Sequence, residues 1–117
     1  MKKPKIKFLQ KPSCTTCRKA KLFLEKRGAE LELRSLDEQR LSESELERLV
    51  GERDYIPFLS TRNELYRSRN MKEHPPSRSE ASKLMGANPN LIRRPVVISG
   101  KKMVLGYDEE AYKDLLR

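Results

Sequence analysis

The chain has 117 residues, of which 37% are charged, 36% hydrophobic and 6% aromatic, and its formal net charge is +9. That length suits one domain with a modest core and no need of staples, and regular apolar periodicity argues against disorder. The charge fits an acidic protein partner, anionic small substrates or a solvated basic surface; no basic helix with base-reading side chains and no aromatic stacking platform stands out, so direct nucleic-acid binding is not expected.

The basic start Met1-Lys2-Lys3-Pro4 is followed by no apolar run. Neither a signal peptide nor a membrane span is expected, and with a close dithiol this fits a reducing cytoplasm. Lys5-Ile6-Lys7-Phe8-Leu9-Gln10 alternates polar and apolar residues as a half-buried strand does. The stretch Pro12-Ser13-Cys14-Thr15-Thr16-Cys17-Arg18-Lys19-Ala20 then holds both cysteines of the chain. Ala20, Phe23 and Leu24 recur at helical spacing, so Cys14 is expected in the turn before a helix and Cys17 in its first turn. Gly28 stops that helix, with Lys26 and Arg27 suited to its negative end.

Glu30-Leu31-Glu32-Leu33-Arg34-Ser35 reads as a second strand, completing a parallel, right-handed βαβ unit. Ser42 and Glu45 form a capping box, Leu41 can staple onto Leu46, and Leu46, Leu49 and Val50 give the buried face of a helix ended by Gly51. Asp54–Leu59 reads as a loop with apolar anchors, and Thr61 or Ser60 as the cap of a helix through Asn63–Arg67. His74-Pro75-Pro76 breaks the chain, and His74 reads as an exposed loop residue. Ser77 with Glu80 makes a second capping box for a helix that stops at Gly86. Val96-Val97-Ile98 and Lys102–Leu105 form a hairpin turned at Ser99-Gly100. Asp108 caps a last helix with Tyr112, Leu115 and Leu116 facing inward. The order is βαβ, a helical insert over residues about 41–87, then ββα.

A helix start presents unpaired N–H groups and a positive dipole end, which favour thiolate over thiol, and Arg18 and Lys19 add charge nearby. Cys14 therefore reads as a nucleophile and Cys17 as the thiol that resolves its adduct. Other readings compete. Zinc normally needs four ligands, whereas this chain has two cysteines and one histidine. Two inert core cysteines are an alternative, and a structural disulfide would close almost no loop. Redox chemistry is the favoured reading, with no metal and no bound cofactor. Arg93-Arg94-Pro95 is the second stretch of interest: proline before a strand can hold a cis bond, and arginine forks bind oxyanions through two hydrogen bonds. Coating a strand end is the plainer reading of those arginines.

Cys14-Thr15-Thr16-Cys17, Ser60-Thr61-Arg62-Asn63, Asn88-Pro89-Asn90-Leu91-Ile92-Arg93-Arg94-Pro95-Val96-Val97 and Gly106-Tyr107-Asp108-Glu109-Glu110 stand in an order that resembles the arsenate reductase (ArsC)/Spx-type family over nearly the whole chain. The resemblance implies an α/β, thioredoxin-like and glutaredoxin-related fold with a mixed four-stranded sheet. It implies that Pro95 is cis and packs against the nucleophile loop, and that Cys14 attacks an oxyanion or a disulfide. By motif position Arg62 and Arg94 match two of the three arginines that surround the anion in arsenate reductases. The third falls near Gly106, where this chain has none. Glutaredoxin-dependent reductases usually use one active-site cysteine, whereas a C-x-x-C looks like the redox switch of Spx-type regulators. Those bind the C-terminal domain of the RNA polymerase α-subunit, through a surface beginning near a glycine matched roughly by Gly51.

Two functions are therefore expected to compete. One is a thiol-dependent reductase of arsenate, another small oxyanion or a protein disulfide. Cys14 is its nucleophile, Arg18 its thiolate stabiliser, and Arg62, Arg93 and Arg94 its anion-holding set. Cys17 closes a disulfide that thioredoxin, glutaredoxin or glutathione resets. The other is a redox-responsive transcriptional regulator acting through polymerase. A monomer is expected in either case.

Overall fold

The computed structural model describes residues 5–11 and 13–117. The N-terminal Met1–Pro4 and Pro12, which opens the cysteine stretch, lie outside the described residues. The chain divides into two compact units, Met1–Glu38 with Arg94–Arg117, and Gln39–Arg93.

The first unit holds a four-stranded sheet in the order β2-β1-β3-β4, built from β1 (Lys5–Gln10), β2 (Glu30–Ser35), β3 (Val96–Ser99) and β4 (Lys102–Leu105). β1 runs parallel to β2, and β3 is antiparallel to both β1 and β4. The connection between β1 and β2 is α1 (Thr15–Lys26), as the parallel pairing requires of a crossover. α1 ends in a full Schellman motif: the Gly28 N–H donates to Glu25 O and the Ala29 N–H to Leu24 O, with Gly28 at φ +84°. Gly100 and Lys101 turn the β3–β4 hairpin, one residue later than the expected Ser99-Gly100, and Gly100 at φ +59° supplies the first central residue of a II′ turn. α5 (Glu109–Leu115) closes the unit, capped by Asp108, whose Oδ1 accepts the Ala111 N–H at 3.1 Å. Ile6, Phe8, Ala20, Leu24, Ala29, Val97, Tyr112 and Leu115 form one core cluster. Each large aliphatic or Phe side chain so buried contributes about 1.5–3 kcal/mol.

The second unit is helical. α2 (Glu43–Val50) begins at a capping box in which Ser42 Oγ accepts the Glu45 N–H and Glu45 Oε1 accepts the Ser42 N–H, both at 3.1 Å. Leu46 and Val50 are buried and Leu49 half-buried. The segment expected as a loop holds a 3₁₀ turn at Ile56–Phe58; Phe58 and Leu59 are buried, while Ile56 is exposed. The cap of α3 (Glu64–Ser68) is Asn63, whose Oδ1 accepts the Leu65 N–H, not Thr61 or Ser60. The Ser60 N–H instead donates to Leu91 O at 2.7 Å, and Leu59 bridges Ile92, which holds this stretch extended. α4 (Arg78–Ala87) starts with Ser77 Oγ accepting the Glu80 N–H. The Glu80 carboxylate pairs with Arg69 at 3.2 Å, so half of the expected box forms. Gly86 does not stop α4. It lies inside the helix, where an added Cβ would come within 3.5 Å of the Leu41 O and Glu43 N, and the helix ends at Asn88. Gly86 thus faces the start of α2 at a distance that a methyl group would fill with ordinary contact.

Candidate active site

β1 leaves the sheet at Gln10 and Lys11 turns the chain toward α1. The Cys14 N–H donates to Lys11 O at 2.9 Å, and Cys14 takes the N-cap position of α1 with extended backbone. A cysteine at N-cap leaves its sulfur among the helix's orphan amides. Cys14 is half-buried and Cys17, one turn on, is fully buried; both are free thiols.

The two sulfurs are in different protonation regimes. For Cys14, partial burial opposes ionisation. Against it act the Cys17 backbone N–H, the Cys17 thiol, the Arg94 guanidinium and the Thr16 N–H, and together they hold the Cys14 thiol below its ordinary range. For Cys17, burial pushes the thiol up to about 12, although the Lys11 backbone N–H and Arg94 act the other way. The hydrogen bond between them works with this split, since the Cys17 thiol donates to the Cys14 sulfur, stabilising one anion and retaining its own proton. The result is an asymmetric pair, with Cys14 the more acidic sulfur and Cys17 held as a thiol.

Arg94 reaches this pair through the sheet. In the β1–β3 register Leu9 pairs with Val96, so the residues preceding β3 lie beside the exit of β1. The Arg94–Pro95 peptide bond is cis, Pro95 is buried, and the Gly106 N–H donates to Pro95 O at 2.9 Å. The other predicted residues are placed as follows. Arg18 is exposed and its Nη2 donates to Ser13 O at 3.4 Å, in the loop before Cys14. Arg62 and Arg93 belong to the second unit. There the exposed Arg62 offers its carbonyl to Arg67 Nη2 at 3.4 Å, and the Arg93 N–H donates to Phe58 O at 2.7 Å. Cys14, Cys17 and Arg94 are brought within electrostatic reach of one another.

Tyr112 has more to do than face inward as expected. It is fully buried in the core, and its hydroxyl donates to Gly106 O. Burial, followed by the influence of Cys17, Tyr107 and Asp108, pushes its phenol well above the ordinary range. Its ring packs with Phe23 and Tyr107 at centroid separations of 5.9 and 5.8 Å. A tyrosine on the apolar face of a short helix was the available signal, because a buried phenol needs an acceptor. Among the described residues no group of His, Cys, Asp and Glu side chains is disposed to hold a metal ion, and no helix is long and apolar enough to cross a membrane.

The ArsC family model matches residues 9–115. The chain belongs to the ArsC family. Among curated relatives it is 34% identical to the Bacillus subtilis protein YusI over 113 residues, covering 93% of this chain and 96% of that one. It is 32% identical over 113 residues to the global transcriptional regulator Spx of Streptococcus pneumoniae, covering 95% of this chain and 85% of that one. Among solved structures, an arsenate reductase from Vibrio cholerae superposes with a TM-score of 0.84 at 24% identity, covering 98% and 100% of the two chains, which fixes the fold as thioredoxin-like. An ArsC-family thiol redox fold thus carries a C-x-x-C pair at the N-terminus of α1.

Proposed function

We propose that this ArsC-family protein is a thiol oxidoreductase that reduces a small oxyanion or a disulfide, with Cys14 as nucleophile, Arg94 as anion-holding residue and Cys17 as resolving thiol. The observation that carries this reading is the asymmetry of the pair: a Cys14 held toward thiolate next to a Cys17 held as thiol, under the charge of Arg94. On a disulfide, the Cys14 thiolate attacks one sulfur and expels the other as thiolate, leaving a mixed disulfide. Cys17 then loses its proton and attacks Cys14 Sγ, releasing the second thiolate and leaving a Cys14–Cys17 disulfide. On arsenate, Cys14 displaces water from arsenic to form an As–S bond. Attack of Cys17 on Cys14 Sγ leaves the As–S electron pair on arsenic, which departs as arsenite. Two electrons pass from the dithiol to the substrate in either case, and a reductant such as thioredoxin, glutaredoxin or glutathione restores the pair. Arg18 is proposed to support the thiolate.

The test is reduction of arsenate and of a model disulfide by wild type, C14S and C17S in a coupled assay. C14S is expected to be inactive, and C17S to stall as a mixed disulfide or slow sharply in the absence of excess monothiol. Equal inactivity of all three across both substrates removes the reading. The similarity to Spx supports a second function, a redox-responsive regulator that binds the C-terminal domain of the RNA polymerase α-subunit. A pull-down with that domain, using oxidised and reduced protein, tests it, and absence of binding in both states removes it.

A further inference from the structure

The exposed face of α1 sets one leucine among mostly cationic side chains. The helix buries Cys17, Ala20 and Leu24, and at 3.6 residues per turn Leu22 lies on the opposite side. Leu22 is 59% exposed, the most exposed large apolar side chain among the described residues. Its neighbours one turn away are Arg18, Lys19 and Lys26, all exposed, while Glu25 is tied to Lys21 at 3.4 Å. Arg18 and Lys19 also stand in the N-terminal half of the helix, where the macrodipole disfavours cations, and the first turn contains no acidic residue to offset them. Helix stability accounts for a leucine, a good helix former, but not for the placing of these charges. An apolar centre inside a cationic rim is the anatomy of a docking surface for an acidic protein.

We propose that this face docks an acidic protein dithiol that resets the Cys14–Cys17 disulfide, with Leu22 at the centre of the contact and Lys19 and Lys26 at its rim. The inference rests on the redox reading of the cysteine pair. Leu22 is eight residues beyond Cys14, about 12 Å along the helix axis, and a standard interface of about 800 Å² per partner spans both. A thiolate of the docked partner attacks one sulfur of the oxidised pair, forming an intermolecular disulfide and releasing the other sulfur as thiolate. The partner's second thiol then displaces the bound sulfur, so the partner leaves oxidised and the pair returns with two electrons.

The test uses the full chain oxidised to the Cys14–Cys17 disulfide. Its reduction is followed with dithiothreitol and, separately, with an acidic thioredoxin as the probe. L22D and K26E are expected to lower the second-order rate with thioredoxin about tenfold each, which corresponds to about 1.4 kcal/mol. Both are expected to leave the dithiothreitol rate within about twofold of wild type. Added salt is expected to slow the wild-type reaction with thioredoxin and not that with dithiothreitol. Equal thioredoxin rates for wild type and both variants overturn the docking face, as does wild type that thioredoxin reduces no faster than dithiothreitol. If mild oxidation yields no Cys14–Cys17 disulfide at all, the redox reading itself fails and the docking face falls with it.

Discussion

The buried thiol of Cys17 gives the sharpest quantitative prediction, because its protonation is linked to folding. An unfolded cysteine ionises near 8.5, whereas burial in the fold pushes Cys17 up to about 12. Between these values the native state holds a proton that the unfolded state has released. Stability contributed by Cys17 is therefore complete below about pH 8.5 and is lost as pH rises toward 12, at up to about 1.4 kcal/mol per pH unit. Cys14 behaves oppositely. Its depressed value gives stability that is present above the unfolded value and lost as pH falls through the folded one, so its contribution is constant above about pH 9.

The perturbation is C17A, measured by urea unfolding under a phosphine reductant from pH 9 to 10.5. Removing the sulfur costs stability at every pH through the small cavity it leaves, and that offset does not titrate. The difference between wild type and variant isolates Cys17 from the lysines and tyrosines that titrate in both. Wild type is expected to lose about 2 kcal/mol more than C17A across this window, a sizeable share of the 5–15 kcal/mol that usually holds a domain folded. Parallel stability curves for the two proteins would show that Cys17 is not held as a buried thiol, and the proposed division of labour between the cysteines would go with it.

Three further outcomes follow from particular contacts. R94M is expected to raise the Cys14 pKa and slow its alkylation at neutral pH, whereas R94K keeps the charge near Cys14 but, on the proposed anion-holding role, weakens oxyanion binding because an ammonium cannot reproduce a guanidinium fork; the pH profile of iodoacetamide labelling and the KM for arsenate read these separately. Y112F leaves the Gly106 carbonyl without its buried donor and is expected to cost about 1–3 kcal/mol in urea unfolding. S42A removes one hydrogen bond of the α2 capping box and is expected to cost about 1 kcal/mol by the same measurement.

Local rules made much of this fold legible. The strand at Glu30–Ser35, the Ser42–Glu45 box and the Gly28 stop each rest on residues within a few positions of one another, and each is present, although Leu33 is exposed on that strand. Local rules failed where distant backbone decided. Ser60, Thr61 and Asn63 are all good cap formers, and the choice falls to Asn63 because Leu59 and Ser60 are held extended by Ile92 and Leu91 some thirty residues on. Gly86 reads as a helix stop by composition, yet it does not take the positive φ of a C-terminal glycine, and α4 continues through it to Ala87. The Cys14–Cys17 motif was visible in itself. The role of the Tyr112 hydroxyl was not, since its acceptor is a carbonyl chosen by the packing of α5 on the sheet.

The position of Arg94 shows how the two kinds of information combine. Eighty residues separate it from Cys14, and no local signal relates them. β1 lies between β2 and β3, so its exit is adjacent to the entry of β3, and the pairing of Leu9 with Val96 sets Pro95 and Arg94 beside the strand end that leads to Cys14. That register is enforced by burial, because a slip of one residue would turn Phe8 and Val97 out of the core and bring Lys7 in. The Gly106 N–H then fixes the Pro95 carbonyl, and the Tyr112 hydroxyl fixes Gly106 in turn. The charge that favours the Cys14 thiolate is thus held in place by the same core contacts that hold the sheet. A core substitution in β1 or β3 that shifts this register should raise the Cys14 pKa even though it touches neither sulfur nor guanidinium.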